Sequence, residues 1–514
     1  MDLINDLLLG FQHILTPTII LFAVLGCALG MLTGVLPGFG PPAATALLLP
    51  LAFVLEPTAS IVMIAAIYYG SMYGGTITSV LLNIPGEVSS VATGIDGYQM
   101  TRNGQAGKAL SIAAVGSFVG GMLAVVGMVF ASQLAELAVN LTYIDIFGLS
   151  FLALMLVIGL AGRSLIKGLI SAVLGLLIGT VGLDHFTGTP RFTFGSVELT
   201  GGISYVAVIM GIFGLAEILR NLTAKQPVDF SSNIGSLRLS RRDLRDSVGS
   251  MGRGTVIGFF FGLVPGSPAA ASAFTSYAVE KRVSKTPERF GRGAIQGVAG
   301  PETANNALGI SNFIPLLTLG IPSSSTMAIL LGALLINGLQ PGPLLFTQNP
   351  EIAWGLIASL VLSNVILLVM ALPLVRLWVS VLRVPTGILY PVVLGVMTIG
   401  AFAINNSVFD VGIMWVAGLV GFVFHKFEIP LAPLALTLVL GPMLESNLRR
   451  ALSLNADLGA TLLANPIALS AFVLIGVIFA VKAVTAVRRR VRRSGGDQGG
   501  GIPTEQASSK ADTE

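Results

Sequence analysis

Four short motifs interrupt the apolar stretches of this chain, and they come in two pairs. Gly34-Val35-Leu36-Pro37-Gly38 is echoed by Gly262-Leu263-Val264-Pro265-Gly266. Leu82-Asn83-Ile84-Pro85-Gly86 is echoed by Leu319-Gly320-Ile321-Pro322-Ser323. Proline has no amide hydrogen and blocks the turn before it, while glycine tolerates non-helical angles. Each motif therefore breaks a helix. The residues that follow are small and hydroxylic: Ser89 and Ser90, Ser267, and Ser323, Ser324, Ser325 with Thr326. A half-helix starting at such a place offers free amide hydrogens, a positive dipole end and serine donors. That combination suits a carboxylate or phosphate. Unwound carbonyls near Asn83, Thr76 and Thr78 could coordinate Na⁺ through oxygen. The plainer alternative is a set of kinked helices whose Ser and Thr bond to their own backbone. One motif alone would not choose between these; four in matched pairs favour a site.

A second source of chemistry is Gly300-Pro301-Glu302-Thr303-Ala304-Asn305-Asn306. An ionisable group at membrane depth is costly and often functional. Glu302, with Asn305 and Asn306 beside it, could carry a proton or a coupling cation. The other reading is an interfacial carboxylate capping a helix, which also applies to Glu87. Catalytic templates are missing. The histidines His13, His185 and His425 are scattered, and there is no His-Glu-x-x-His or Gly-x-Ser-x-Gly. Gly104-Gln105-Ala106-Gly107-Lys108-Ala109 is a poor P-loop, with Arg102 and Ala109 where glycine and Ser/Thr belong. The sequence points away from an enzyme and gives no sign of a cofactor.

The elements that must hold these residues are membrane helices. Of 514 residues 54% are hydrophobic and 11% charged, against roughly 25% charged in soluble domains. Mean hydropathy is +0.85. Too few polar residues exist to clothe a soluble core, so lipid is the expected solvent. We expect an all-α polytopic membrane protein with about 11–13 transmembrane helices plus re-entrant or broken helical hairpins. The stretch 254–279, with Pro265-Gly266 at its tip and basic loops on both sides, suits such a hairpin. The formal net charge of +4 is not a nucleic-acid signal, because the basic residues lie in short loops and at the C-terminus. Cys27 is the only cysteine and excludes a disulfide framework. Met1 to Thr16 has Asp2 and Asp6 but no Lys or Arg, unlike a signal peptide. A short amphipathic helix or the start of the first span is expected there.

The expected organisation has five parts. Residues 1–219 form a first transmembrane repeat and 220–253 a basic cytoplasmic linker. Residues 254–450 form a second repeat and 451–486 an extra C-terminal span. Residues 487–514 form a disordered basic and polar tail. A third echo, Gly159–Gly162 with Gly418–Gly421, supports the repeat. Charge suggests inversion. The loop Glu56–Ser60 has no basic residue, whereas the counterpart carries Lys281, Arg282, Lys285, Arg289 and Arg292. Further on, Arg102 and Lys108 face an Asn337–Glu351 stretch with no Lys or Arg. Equivalent loops then lie on opposite sides. Against this, Arg163 with Lys167 and His425 with Lys426 occupy similar places in both halves.

The chain also resembles a known family. Stretches 34–53 (GVLPGFGPPAATALLLPLAF), 68–87 (YYGSMYGGTITSVLLNIPGE), 96–110, 300–307 (GPETANNA), 314–322 and 335–343 are similar to the large membrane subunit of the tripartite tricarboxylate transporters. The likeness runs from about residue 16 to 450. It implies a multi-pass protein of the bacterial inner membrane that takes up a di- or tricarboxylate. It further implies coupling to an ion gradient, usually Na⁺. Two partners come with it, a small membrane subunit and a periplasmic solute-binding protein. A homodimer of the large subunit is left open. The family commonly continues Gly-Ile-Pro with glycine, but Ser323 stands here, so the exact substrate does not carry over. A passive anion channel, or a permease for another solute, is the alternative.

Overall fold

Proline starts several spans, standing at the first turn of Pro17–Val35, Pro57–Leu82 and Pro350–Ala371, where its missing N–H costs nothing. Hydroxyl caps start others. Ser240 and Asp243 form a reciprocal capping box on Arg241–Leu263, and Ser407 caps Val408–Lys426. The computed structural model describes residues 3–480, except 37, 53–54, 139, 161–163, 185, 224–233, 382–385, 455–456 and 479. The expected tail at 487–514, part of the expected linker, His185 and Arg163 therefore lie outside the described residues.

Among the described residues the protein is helical, apart from a two-residue strand pair in which Gly182–Leu183 meets Pro190–Arg191 antiparallel. Eight helices among the described residues are long and apolar enough to cross a membrane. A ninth span results if Leu458–Ala464 and Pro466–Ile478, bent by 104°, count as one. The expected number was higher. The difference lies in shorter apolar helices, Pro41–Ala52, Leu165–Gly179, Ser325–Ile336 and Gly387–Ala403, two of which begin at the breaks. The N-terminal Leu3–Ile14 is a helix of its own, its Gly10 packed on the Trp354 backbone. Arg241–Leu263 runs unbroken through position 253, so the last turns of the basic segment belong to a helix that enters the apolar body.

Glycine rows set the packing. Gly26, Gly30 and Gly34 lie on the backbone of Met63, Ile67 and Ser71; Gly254, Gly258 and Gly262 lie on that of Gly300, Ala304 and Leu308. The glycines correspond at a spacing of 228 positions, and their partners at 237. Small residues let backbones approach this closely, the main attraction available between helices in lipid. In both pairs the numbers rise together, so each pair is parallel.

The two halves run in opposite directions. Thr76 lies beside Glu302, while the Tyr68 hydroxyl donates to the Gly309 carbonyl at 3.4 Å. Numbers rise along Pro57–Leu82 as they fall along its counterpart Gln296–Ser311, so these equivalent helices are antiparallel. The repeats are therefore inverted. One face gathers the basic loops. There Asp96 accepts from the amides of Gly291, Gly293 and Ala294 at 2.7–2.9 Å and from Tyr277, and Lys108 pairs with Asp243. The other face joins His13 to Thr58 and Asn337 to Ser60. The third echo lies partly outside the described residues, at 161 and 162. Gly418 and Gly421 pack on Leu215 and Ala216 in mid-helix, whereas 159–160 end the helix Tyr143–Leu160.

A charged cluster closes the loop after Leu165–Gly179. Asp184 accepts from the amides of Phe186 and Thr187 and pairs with Arg449 and Arg191. The Phe186 amide, then the other donors and both arginines, hold its carboxyl down at about 2 against an ordinary 3.8. A lowered carboxyl contributes stability above its unfolded value and loses it as pH falls through the folded one. Loop protection from proteolysis should therefore hold down to about pH 4 and decline between 3.8 and 2. In Asp184→Asn that decline should be absent and protection lower at neutral pH. Limited proteolysis across this range checks both.

Candidate functional site

The four breaks meet in two pairs. In the first half Gly38 takes φ +83° and Asn83 φ +56°; in the second Gly266 takes φ +79° and Gly320 φ +71°. Each half thus ends both helices the same way, with a left-handed residue that suits glycine or asparagine. In the first half Gly40 sits next to Gly86 and Glu87. In the second, the Gly266 amide donates to the Ser323 carbonyl at 2.8 Å. Pro37 lies outside the described residues. Pro85 is exposed and Pro322 buried.

Glu302 lies at the crossing of the halves and is fully buried. The Thr76 hydroxyl is 2.9 and 3.0 Å from its two oxygens. Ser117 donates at 3.0 Å, Thr93 at 3.1 Å and Asn306 at 3.2 Å. Four helices contribute these donors, and all are neutral. Next to it, Asn305 donates to Glu87 at 2.6 Å, tying the second half to the first-half break. The carbonyl oxygens of Asn305 and Asn306 are buried without a hydrogen-bond partner, and the Ser89 hydroxyl lies beside the Glu87 carboxylate. A carboxylate in an apolar body, with neutral donors and spare oxygens around it, is a place for a proton or a hard cation.

The other expected residues serve locally. Thr78 donates to Gly75 in its own helix. Asn83 is the exposed left-handed cap and is not among the partners of Glu302. Ser90 donates to the Glu87 carbonyl and meets Ser79 at 2.5 Å. Ser323 bonds Asn312, Ser324 caps the helix Ser325–Ile336, and Ser325 is its first residue. The Ser267 amide closes a turn on Val264. Pro265 lines an apolar cavity of about 280 Å³ with Leu152, Pro315 and Ile321. The serine-rich second break therefore has an apolar neighbourhood, and the ionisable groups gather at the first.

Sequence reasoning missed Thr93 and Ser117. Their signal was slight: Ser117 is a lone hydroxyl in an apolar run, and Thr93 stands between Ser90 and Asp96 with nothing local to set it apart. It also missed a cavity of about 600 Å³ beside Gly38 and Gly40, lined by Lys167, Glu217, Arg220 and His425.

A family model, described as the tripartite tricarboxylate transporter TctA family, matches residues 20–436. The chain belongs to this family. It is a membrane subunit of a tripartite tricarboxylate transporter, a system that also has a small membrane subunit and a periplasmic binding protein. With its apolar helices, this makes it a multi-pass membrane protein of a transporter family. It is also similar to an uncharacterized 52.8 kDa protein in the TAR-I ttuC' 3' region of Agrobacterium vitis, 46% identical over 91% of this chain and 94% of that one. A second Agrobacterium vitis protein, from the TAR-II ttuC' 3' region, is 45% identical over 41% of this chain and 88% of its own. No solved structure matches.

Proposed function

We propose that this TctA-family subunit carries out secondary active uptake of a di- or tricarboxylate, or a related organic anion, across the bacterial inner membrane. The substrate is delivered by the periplasmic solute-binding protein. The basic face described above is the cytoplasmic one, by the positive-inside rule. Residues 1–219 and 254–450 act as the two inverted repeats around the site. The observation that carries the reading is Glu302, a buried carboxylate held by neutral donors and shared by both halves at the helix breaks. A proton or Na⁺ is the co-substrate. Glu302, Thr76 and the free carbonyl oxygens of Asn305 and Asn306 would hold Na⁺, since a hard cation takes oxygen ligands. Coupling follows if the cation neutralises Glu302 and so lets the paired breaks rearrange around the anion.

Vesicles reconstituted with the complete complex and loaded binding protein should accumulate the anion above its outside concentration when an inward Na⁺ or H⁺ gradient is imposed. Flux that only runs downhill would favour the channel instead, and accumulation that survives collapse of every ion gradient would overturn the coupling.

A further inference from the structure

The tip of the first break is closed by charge, and the matching tip in the second half is not. Gly38 stands directly against the Arg220 guanidinium and the Glu217 carboxylate, whereas Gly266 stands against Val157. Glu217 is buried and Arg220 is 42% exposed at the side chain. Arg220 Nη2 donates to Glu217 Oε1 at 2.5 Å, and Asn221 donates to the same oxygen at 3.1 Å. His425 Nε2 lies 4.0 Å from the other oxygen. Across the cavity Lys167 Nζ donates to the Phe427 carbonyl at 2.6 Å. That bond takes one of its three N–H groups.

We propose that this cavity is a carboxylate subsite on the transport path. In it Arg220 and Lys167 hold one carboxylate of a polycarboxylate anion, and Glu217 occupies Arg220 until the anion displaces it. The inference rests on the carboxylate reading above and adds the residues that grip the anion. Four observations converge. The cavity holds about 600 Å³, within the usual range for a small-molecule pocket. Its wall includes Gly38, Gly40, Pro42 and Ala43 at the start of Pro41–Ala52, so the positive dipole end of that helix faces the same space as the cations, although Pro41 and Pro42 carry no N–H and the Ala44 amide is taken by the Gly40 carbonyl. Among the described residues the Arg220 guanidinium is engaged by Glu217 alone. Its remaining N–H groups match a second carboxylate in fork geometry. Finally, the buried partner is itself a carboxylate, the group to be recognised. A purely structural ion pair and a competitive one make opposite predictions. If the pair only holds the break tip, breaking it from either side has the same effect. If Glu217 is a stand-in, removing it frees Arg220 for the anion.

The test uses the full chain in detergent with three probes: propane-1,2,3-tricarboxylate, succinate and, as a neutral control, glycerol. Binding is read from the ligand-dependent rise in thermal midpoint, with dispersity checked by gel filtration. Arg220→Gln should weaken tricarboxylate binding about tenfold or more, with Arg220→Lys in between. Lys167→Gln should also weaken it. Glu217→Gln should tighten it severalfold. If wild type binds the tricarboxylate but Arg220→Gln is unchanged, or Arg220→Gln and Glu217→Gln weaken it equally, the subsite is overturned and the transport reading stands. Should wild type bind no carboxylate probe, the carboxylate reading falls and the subsite with it. If a variant aggregates, Arg220→Lys and Glu217→Gln, close in shape to the native residues, still decide the sign.

Discussion

Glu302→Gln is expected to abolish concentrative uptake while leaving the protein folded and in the membrane. The amide is nearly the same size as the carboxylate. Its oxygen can accept from Ser117 and Asn306, and its NH₂ can donate to Thr76 and Thr93 with their hydroxyls turned round. Packing at this fully buried point is thus preserved. The charge is not. A cation held by the carboxylate loses a charge-assisted contact worth ~3 kcal/mol, which lowers its affinity by about a hundredfold. A coupling proton has no group left to ride on. Reconstituted vesicles check this directly, because the native complex should accumulate the anion under a gradient and the variant should not. Stabilisation of the detergent-solubilised protein by Na⁺, if Na⁺ is the ion, should vanish in the same variant. Concentrative uptake that persists with glutamine at 302 would remove Glu302 from the coupling role.

The breaks were legible in the sequence because their cause is local. Proline and glycine at 85–86 and 265–266 oblige the backbone to leave the helix whatever surrounds them. The repeat was legible for the same reason. Inversion was readable only in part, from Lys and Arg in the loops, and the mixed signal has a physical origin. Lys167 opens a helix and His425 nearly ends one, yet both line one cavity. Gly418 is a packing glycine, set against Leu215. Among the described residues fewer helices are long enough to span than there are apolar runs, because Pro41–Ala52 and Ser325–Ile336 are apolar but too short to cross a bilayer. Side-chain partnerships were the least legible. Thr76 and Thr78 look alike in sequence, but one reaches Glu302 and the other its own helix. Which does so depends on an antiparallel crossing between residues more than 200 positions apart. Arg220 and Glu217 read as the edge of a linker because nothing local says that Gly38 folds back onto them.

The second large effect should come from a single methyl group at Gly86. This residue is buried where the two first-half breaks meet, and a Cβ there would run into Gly75 and the Gly34 carbonyl. Both obstacles are backbone, so neither can swing aside as a side chain would. The Gly86 amide also donates to the Gly75 carbonyl at 3.3 Å, a bond that pushing the chain outward would break. Overpacking of this kind costs about 1–3 kcal/mol. The neighbour matters more than the cost. Glu87 follows directly and is joined to Asn305 at 2.6 Å, the bond that ties this break to the second half. Moving Gly86 therefore moves the contact through which Glu302's helix can act on the break. Gly86→Ala should lower the thermal midpoint modestly and reduce uptake at least tenfold. Ser89→Ala, which removes one hydroxyl beside Glu87 and displaces no backbone, should leave the midpoint close to native. Uptake by Gly86→Ala at the native rate would show that the close approach of the two breaks is not needed for transport, and that the coupling route between Glu302 and the anion runs elsewhere.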